Sequence, residues 1–220
     1  MSYVFSGTPL CQLTDVKSAL RLEVTDTTDD YRISLAIDAA TKQIQDFCGR
    51  SFIQDNGVSD RWYSPDTPWL CEVDDFQTVT GLVVETYPTG VQQTPTTWDT
   101  PDYQLEPLNG LLNGIPIPYE SIRAVGSKIF PQVSGFGFVP GGAAPGVQAL
   151  IKITAQWGWA SIPADVVKAT VVQSISLFKA DDVPFGTTPF TETGILRLKP
   201  TLHPTVEALL LNYTRRALVG

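Results

Sequence analysis

Residues 30–49 read DYRISLAIDAATKQIQDFCG, and their reading decides how the rest of the chain is organised. Ile33, Ile37, Ala40, Ile44 and Phe47 step by four, three, four and three, which draws one apolar stripe along a helix. Thr28 or Asp29 is placed to cap the start, and Gly49 to end it, because glycine takes the left-handed conformation without steric cost. Asp38 and Lys42 lie four apart with the acid first, the better orientation for a surface pair. The spacing predicts a helix over 30–48 whose stripe needs a partner.

Partners of the same period flank it on both sides. Upstream, Thr14 is an N-cap candidate with Asp15 at the positive helix end, and Val16, Ala19 and Leu20 give one apolar face. Downstream, Pro163 suits a first turn. Val167, Val171, Ser174 and Phe178 then share a face, with Val166, Thr170, Ile175 and Leu177 beside it. A last helix starts near Pro204 and lines up Val206, Leu209, Leu210, Tyr213 and Ala217, with Arg215 and Arg216 at its negative end.

Between these flanks the period changes. Short β-rich runs (61–63, 78–86, 103–105) alternate with Pro, Gly, Asp and Asn clusters, and Val147 to Trp157 sets Val147, Ala149, Ile151 and Ile153 on one face of a strand. The expected class is α+β. N- and C-terminal flanks (1–50 and 160–220) form a helical bundle, and 51–159 is an inserted small antiparallel β module. Two segments read as contact elements. Residues 134–146 (SGFGFVPGGAAPG) are too rich in glycine for a regular element and are expected to be a mobile loop carrying Phe136 and Phe138. Residues 181–203 form an extended arm whose Phe185, Phe190, Ile195 and Leu196 are hard to bury locally.

Composition excludes several functions. A net charge of −8, from 15 bases against 23 acids, argues against gripping nucleic acid by its phosphates. Hydrophobic content of 43% fits a folded core rather than a disordered chain. Cys11, Cys48 and Cys71 are odd in number and lack metal-ligand spacing, so a reducing compartment is expected, with Cys48 a buried thiol on its helix. No basic leader with an apolar run opens the sequence, and no stretch has 18 consecutive apolar residues.

No catalytic set is visible, and the expectation is that the chain is not an enzyme. His203 is the one histidine; beside Pro204 it suits a surface or capping role, and no G-x-S-x-G elbow accompanies it. The pairs Asp29–Asp30, Asp74–Asp75 and Asp181–Asp182 lack the ligand count of an oxygen cage and read as caps and turns, so no metal and no cofactor are expected. Gly135, Gly137, Gly141 and Gly142 follow no nucleotide-binding spacing. Trp62, Trp69, Trp98, Trp157 and Trp159 read as core anchors, with a sugar-binding platform as the alternative.

Two stretches taken together resemble a known family. One is LTDVKSALRL (13–22), an acidic turn, and 33–50 ending in Phe47-Cys48-Gly49-Arg50. The other is ITAQWGW (153–159) with IPADVVKA (162–169) and Leu177-Phe178-Lys179; Leu196 to Pro200 and Leu209 to Tyr213 are similar too. They resemble the head–tail connector (adaptor) proteins of tailed bacteriophages, which form the neck ring beneath the portal. The resemblance implies a structural virion protein, located in the neck and in the host cytoplasm during assembly. It further implies a twelvefold ring of this chain that docks on the portal protein, meets the next neck or tail protein, and lets double-stranded DNA pass through its channel. It implies no membrane partner. The β module is longer than in the minimal members, so its role does not follow from the resemblance. Alternatives are another neck component, such as a head-completion stopper or tail terminator, a carbohydrate-binding β module, and a cryptic hydrolase using His203.

Overall fold

The computed structural model describes residues 3–87, 94–112, 114–131, 150–181, 187–188, 196–197 and 202–215. The chain divides into two compact units, Met1–Phe52 with Ile162–Gly220, and Ile53–Ser161. The first is helical and the second is built on a sheet, an α+β fold.

The helical unit contains α1 (Leu13–Leu20), α2 (Asp30–Cys48), α3 (Ala164–Ala180) and α4 (Pro204–Leu210), the last running on into a 3-10 turn at Leu211–Tyr213. α1 begins two residues earlier than a Thr14 cap requires: Gln12 is the N-cap, and its backbone N–H donates to the Asp15 carboxylate at 2.9 Å. α2 starts after Asp29, which holds the N-cap position without a side-chain cap bond, and is stopped by Gly49 at φ 64°. Its buried stripe holds Ile33, Ile37, Ala40 and Ile44, but it ends in Cys48 and not in Phe47, which is 38% exposed. The reason is a second buried line, Ser34, Thr41 and Cys48, spaced by seven, which turns the buried face away from Phe47. The Asp38–Lys42 pair also does not form. Asp38 instead accepts from Tyr3 Oη (2.7 Å) and Ser6 Oγ (2.8 Å) of the N-terminal segment, and Lys42 turns to Asp46 at 2.7 Å.

α3 is buried on more than one side, because α1, α2 and α4 all pack against it. Cys11, Val16, Ile33, Ala36, Ile37, Val171 and Phe178 make one core cluster. Thr170 and Ser174, buried on α3, return their hydroxyls to the carbonyls of Val166 and Thr170, so they cost little inside the bundle. Gln173 is the polar link. Its Nε2 donates to Gln43 Oε1 of α2 at 2.7 Å, and its Oε1 accepts the backbone N–H of His203 at 3.0 Å, just before α4.

In the β unit a six-stranded antiparallel sheet runs in the order β1 (Ser59–Tyr63), β8 (Leu150–Trp157), β2 (Leu70–Tyr87), β7 (Tyr119–Ala124) and β4 (Tyr103–Glu106), with β3 (Thr96–Trp98) also on β2. β2 serves two neighbourhoods. Its first part pairs with β7 (Leu70 with Arg123, Cys71 with Ile122), and its last part with β8 (Val83 with Thr154 through Tyr87 with Leu150). Ile151, Ile153, Ala155 and Trp157 form the buried face of β8 and meet Val84, Trp98, Ile122 and Phe130 in the core. A small ladder of β5 (Leu111–Leu112) and β6 (Ile115–Pro116) extends the β4–β7 hairpin. β9 (Thr187–Thr188) pairs with β10 (Leu196–Arg197) inside the segment read as an extended arm.

Candidate assembly surfaces

Among the described residues two charged side chains are buried, Lys17 and Asp75. In the helical unit Lys17 is the sharpest case. It sits on α1 and is 2% exposed. Its ammonium donates to the carbonyls of Asp26 (2.6 Å) and Val24 (3.1 Å) and pairs with the Asp30 carboxylate, so its three donors are matched by three acceptors. The acidic turn between α1 and α2 is therefore wrapped on one buried cation. The sequence signal is a lysine on a short helix followed, about nine to thirteen residues on, by the acidic turn with Asp26, Asp29 and Asp30, which an apolar-period reading passes over. Asp29, the neighbour of Asp30, stands at the N-cap position of α2 without a side-chain cap bond and pairs instead with Arg32, whose guanidinium lies 4.7 Å over the Phe178 ring.

In the β unit the WGW run 157–159 is a lock. Trp157 Nε1 donates to the Ser59 carbonyl at 2.9 Å, and Trp159 Nε1 to the buried Asp75 carboxylate at 2.9 Å. Gly158 between them has φ 96° and donates to the Asp75 carbonyl at 2.6 Å; a Cβ there would stand 2.0 Å from the Ile53 carbonyl oxygen. Asp74 accepts from Arg61 at 2.8 Å and from Tyr63 Oη at 2.9 Å, and Arg61 also stacks on the Trp157 ring at 4.6 Å. Burial, with Asp74 alongside, raises the Tyr63 phenol pKa. Trp98, Trp157 and Trp159 are core, whereas Trp62 and Trp69 are exposed.

Charge is divided unevenly between the units. Residues 53–161 hold eleven Asp and Glu against four Lys and Arg, so the β unit carries −7 of the chain's −8. Each of those four bases is already engaged: Arg61 with Asp55 and Asp74, Arg123 with Glu106, Lys128 with Asp102, and Lys152 with Glu85. The unit's remaining charge is anionic.

Of the residues singled out in the sequence as contacts, Phe136, Phe138, Phe185, Phe190 and Ile195 lie outside the described residues. The backbone of Leu196 lies in β10, opposite Thr188. His203 is the N-cap of α4, where its Nδ1 accepts the Thr205 N–H at 3.2 Å. Among the described residues no group of three or more His, Cys, Asp or Glu is arranged to hold a metal ion, and no helix is long and apolar enough to cross a membrane. The three cysteines are buried and free; burial raises the thiol pKa to about 12 at Cys11, about 11 at Cys48 and about 12 at Cys71.

Residues 11–85 match the family model described as "Phage gp6-like head-tail connector protein". That span takes in α1, the Lys17-bound turn, α2 and most of β2, and it bears out the resemblance to head–tail connectors read from the sequence. No curated protein matches the chain by sequence. Among solved structures, a chain in the neck of an empty GTA particle computed with C6 symmetry is similar at TM-score 0.52 and 16% identity, over 100% of this chain and 98% of that one. A chain in the virion of a native gene transfer agent (GTA) particle is similar at TM-score 0.50 and 16% identity, over 99% and 96%. At this identity the likeness is one of fold, and it extends through both units.

Proposed function

We propose that this chain, with its head–tail connector segment, is a structural protein of a virion neck that assembles into a ring, joins the portal to the tail-completion proteins and continues the DNA channel. The observation that carries the reading is the connector match over residues 11–85, which falls on the α1–turn–α2 element that Lys17 holds together. Support of a different kind comes from the fold likeness to chains of a neck and a virion. The helical flanks (1–50 and 160–220) are then the adaptor body, 51–159 the β module, and 181–203 an arm whose Phe185, Phe190, Ile195 and Leu196 pack on a neighbour or on the portal. The loop with Phe136 and Phe138 faces the next neck protein and orders on assembly.

The charge division adds a physical role. A β unit with −7 and all its bases internally paired offers phosphates nothing to bind, so a wall made of such units lets double-stranded DNA slide past. Electron microscopy of the purified chain mixed with its portal tests the reading. The expected image is a ring stacked on the portal with an open axial channel; a chain that stays dispersed, or that closes the channel as a stopper does, refutes it. Removing residues 184–195 should abolish docking while leaving the helical circular-dichroism signal in place, and docking that survives the deletion removes the arm from the proposal.

A further inference from the structure

The distal part of the β4–β7 hairpin differs in chemistry from the rest of its unit. Residues 107–118 (PLNGLLNGIPIP) contain no charged side chain, in a unit where acids outnumber bases eleven to four. The segment is folded. Leu111 and Leu112 pair with Pro116 and Ile115, and Ile117 N–H donates to the Gly110 carbonyl at 2.9 Å. Yet Leu108 is 59% exposed, Leu111 50% and Ile115 39%.

A second exposed apolar set lies at the other end of the strand order, around β1. Val58 and Trp62 are exposed and four apart, so they share a side of the β1 segment. Val83 pairs with Thr154, which pairs with Asp60, so Val83 is on that side too. Val58 Cγ1 stands 3.0 Å from where a Cβ on Gly81 would be, which seats Val58 against the irregular stretch of β2 that leads to Val83. On this face Lys152 pairs with Glu85, and Asp60 accepts from Thr154 Oγ1 at 2.6 Å, so one carboxylate charge remains beside the apolar set.

We infer that the 107–118 hairpin of one copy seats on the Val58–Trp62–Val83 face of a second copy of this chain. Two copies of a unit charged −7 repel, so their contact is favoured where one side brings no charge to meet the other's, and the hairpin brings none. Because the surfaces are unlike and lie at opposite ends of the strand order, the contact is head to tail, the kind that propagates around a ring and does not stop at a dimer. The inference rests on the ring proposed above.

The test is disulfide trapping in the full-length chain carrying Ile115→Cys and Val83→Cys. Cys11, Cys48 and Cys71 are buried, so oxidation reports on the introduced pair. The expected result is a covalent ladder extending past the dimer that needs both substitutions, in samples where microscopy shows rings. Rings without a ladder overturn the inference and leave the ring standing, since the hairpin then contacts something else, such as a different neck protein. A dimer formed by Ile115→Cys alone also overturns it, because hairpins then pair with each other. Absence of rings, with and without the portal, sinks both readings together. As a second arm, Leu111→Asp with Ile115→Asp should abolish ring formation with the circular-dichroism spectrum unchanged; rings that persist in this variant count against the contact.

Discussion

Lys17 on α1 and Asp30 at the start of α2 form an ion pair inside the helical unit, with the lysine ammonium also holding the carbonyls of Val24 and Asp26. A buried ammonium is costly unless every donor is met, and here each is. The pair makes the short acidic turn a fixed spacer between two helices, so the angle at which α1 and α2 meet does not depend on a long loop.

Replacing Lys17 by Met keeps the volume and removes the charge. Asp30 and two carbonyls then lose their donor, and the helical unit is expected to lose about 3 kcal/mol, the low end for breaking a buried pair because Asp30 is partly exposed. Thermal melting followed at 222 nm reads this directly. A melting temperature equal to that of the unaltered chain would show that the turn does not depend on the lysine.

Gly158 and Gly114 both have positive φ, yet their substitutions should differ sharply. Alanine at Gly158 drives a Cβ to 2.0 Å from the Ile53 carbonyl oxygen, a backbone atom that cannot step aside, so a loss beyond about 4 kcal/mol and insoluble expression are expected. Alanine at Gly114 meets nothing within 4 Å and pays only the left-handed penalty of about 1–2 kcal/mol. Comparing soluble yield and the tryptophan near-ultraviolet signal of the two variants separates clash from conformational cost.

The helical flanks were legible because their stripes are apolar and periodic; where the reading failed, polar residues were doing the packing. Ser34 and Thr41 are buried on α2, and no hydrophobicity pattern shows them, so the apolar stripe runs on to Phe47 in the sequence although Phe47 is exposed; the expected burial of Cys48 is found. The first part of β2 was missed for a related reason. Asp74 and Asp75 interrupt the alternation where the register with β7 shifts, and Asp75 is buried because Trp159 reaches it. β7 is short and carries Glu120 and Arg123, which conceal the inward Ile122. The exposed hairpin at 107–118 escaped notice because Pro, Gly and Asn read as turn, and only the fold shows that Leu108 and Leu111 stay in water.

The buried thiols predict a pH response. In the unfolded chain a cysteine ionises near its ordinary value of 9.0, whereas in the folded protein burial raises Cys11 and Cys71 to about 12 and Cys48 to about 11. Above pH 9 the unfolded state therefore releases protons that the folded state keeps. Stability from these groups is complete below pH 9 and falls as pH climbs through 9 toward 11–12. A thiol reagent at pH 8 should find no reactive cysteine in the native chain and all three in denaturant; rapid native labelling would contradict the burial.

Gln173 offers the last test, because one side chain serves two helices. Its Nε2 donates to Gln43 of α2 and its Oε1 accepts the His203 N–H, whose own imidazole caps α4 through Thr205. Leucine at 173 is close in size but removes both bonds; His203 and Gln43 are exposed, so water meets the freed groups in part and the loss is about 0.5–1.5 kcal/mol per bond. The loss should be local. α4 is only Pro204–Leu210, too short to persist without its anchor, while α1, α2 and α3 keep their shared core. Amide hydrogen exchange should then show protection falling at His203, Val206 and Leu210 and holding at Ile37 and Val171. Uniform loss across all four helices would mean that α4 and the bundle unfold as one unit and that Gln173 is not a separable link.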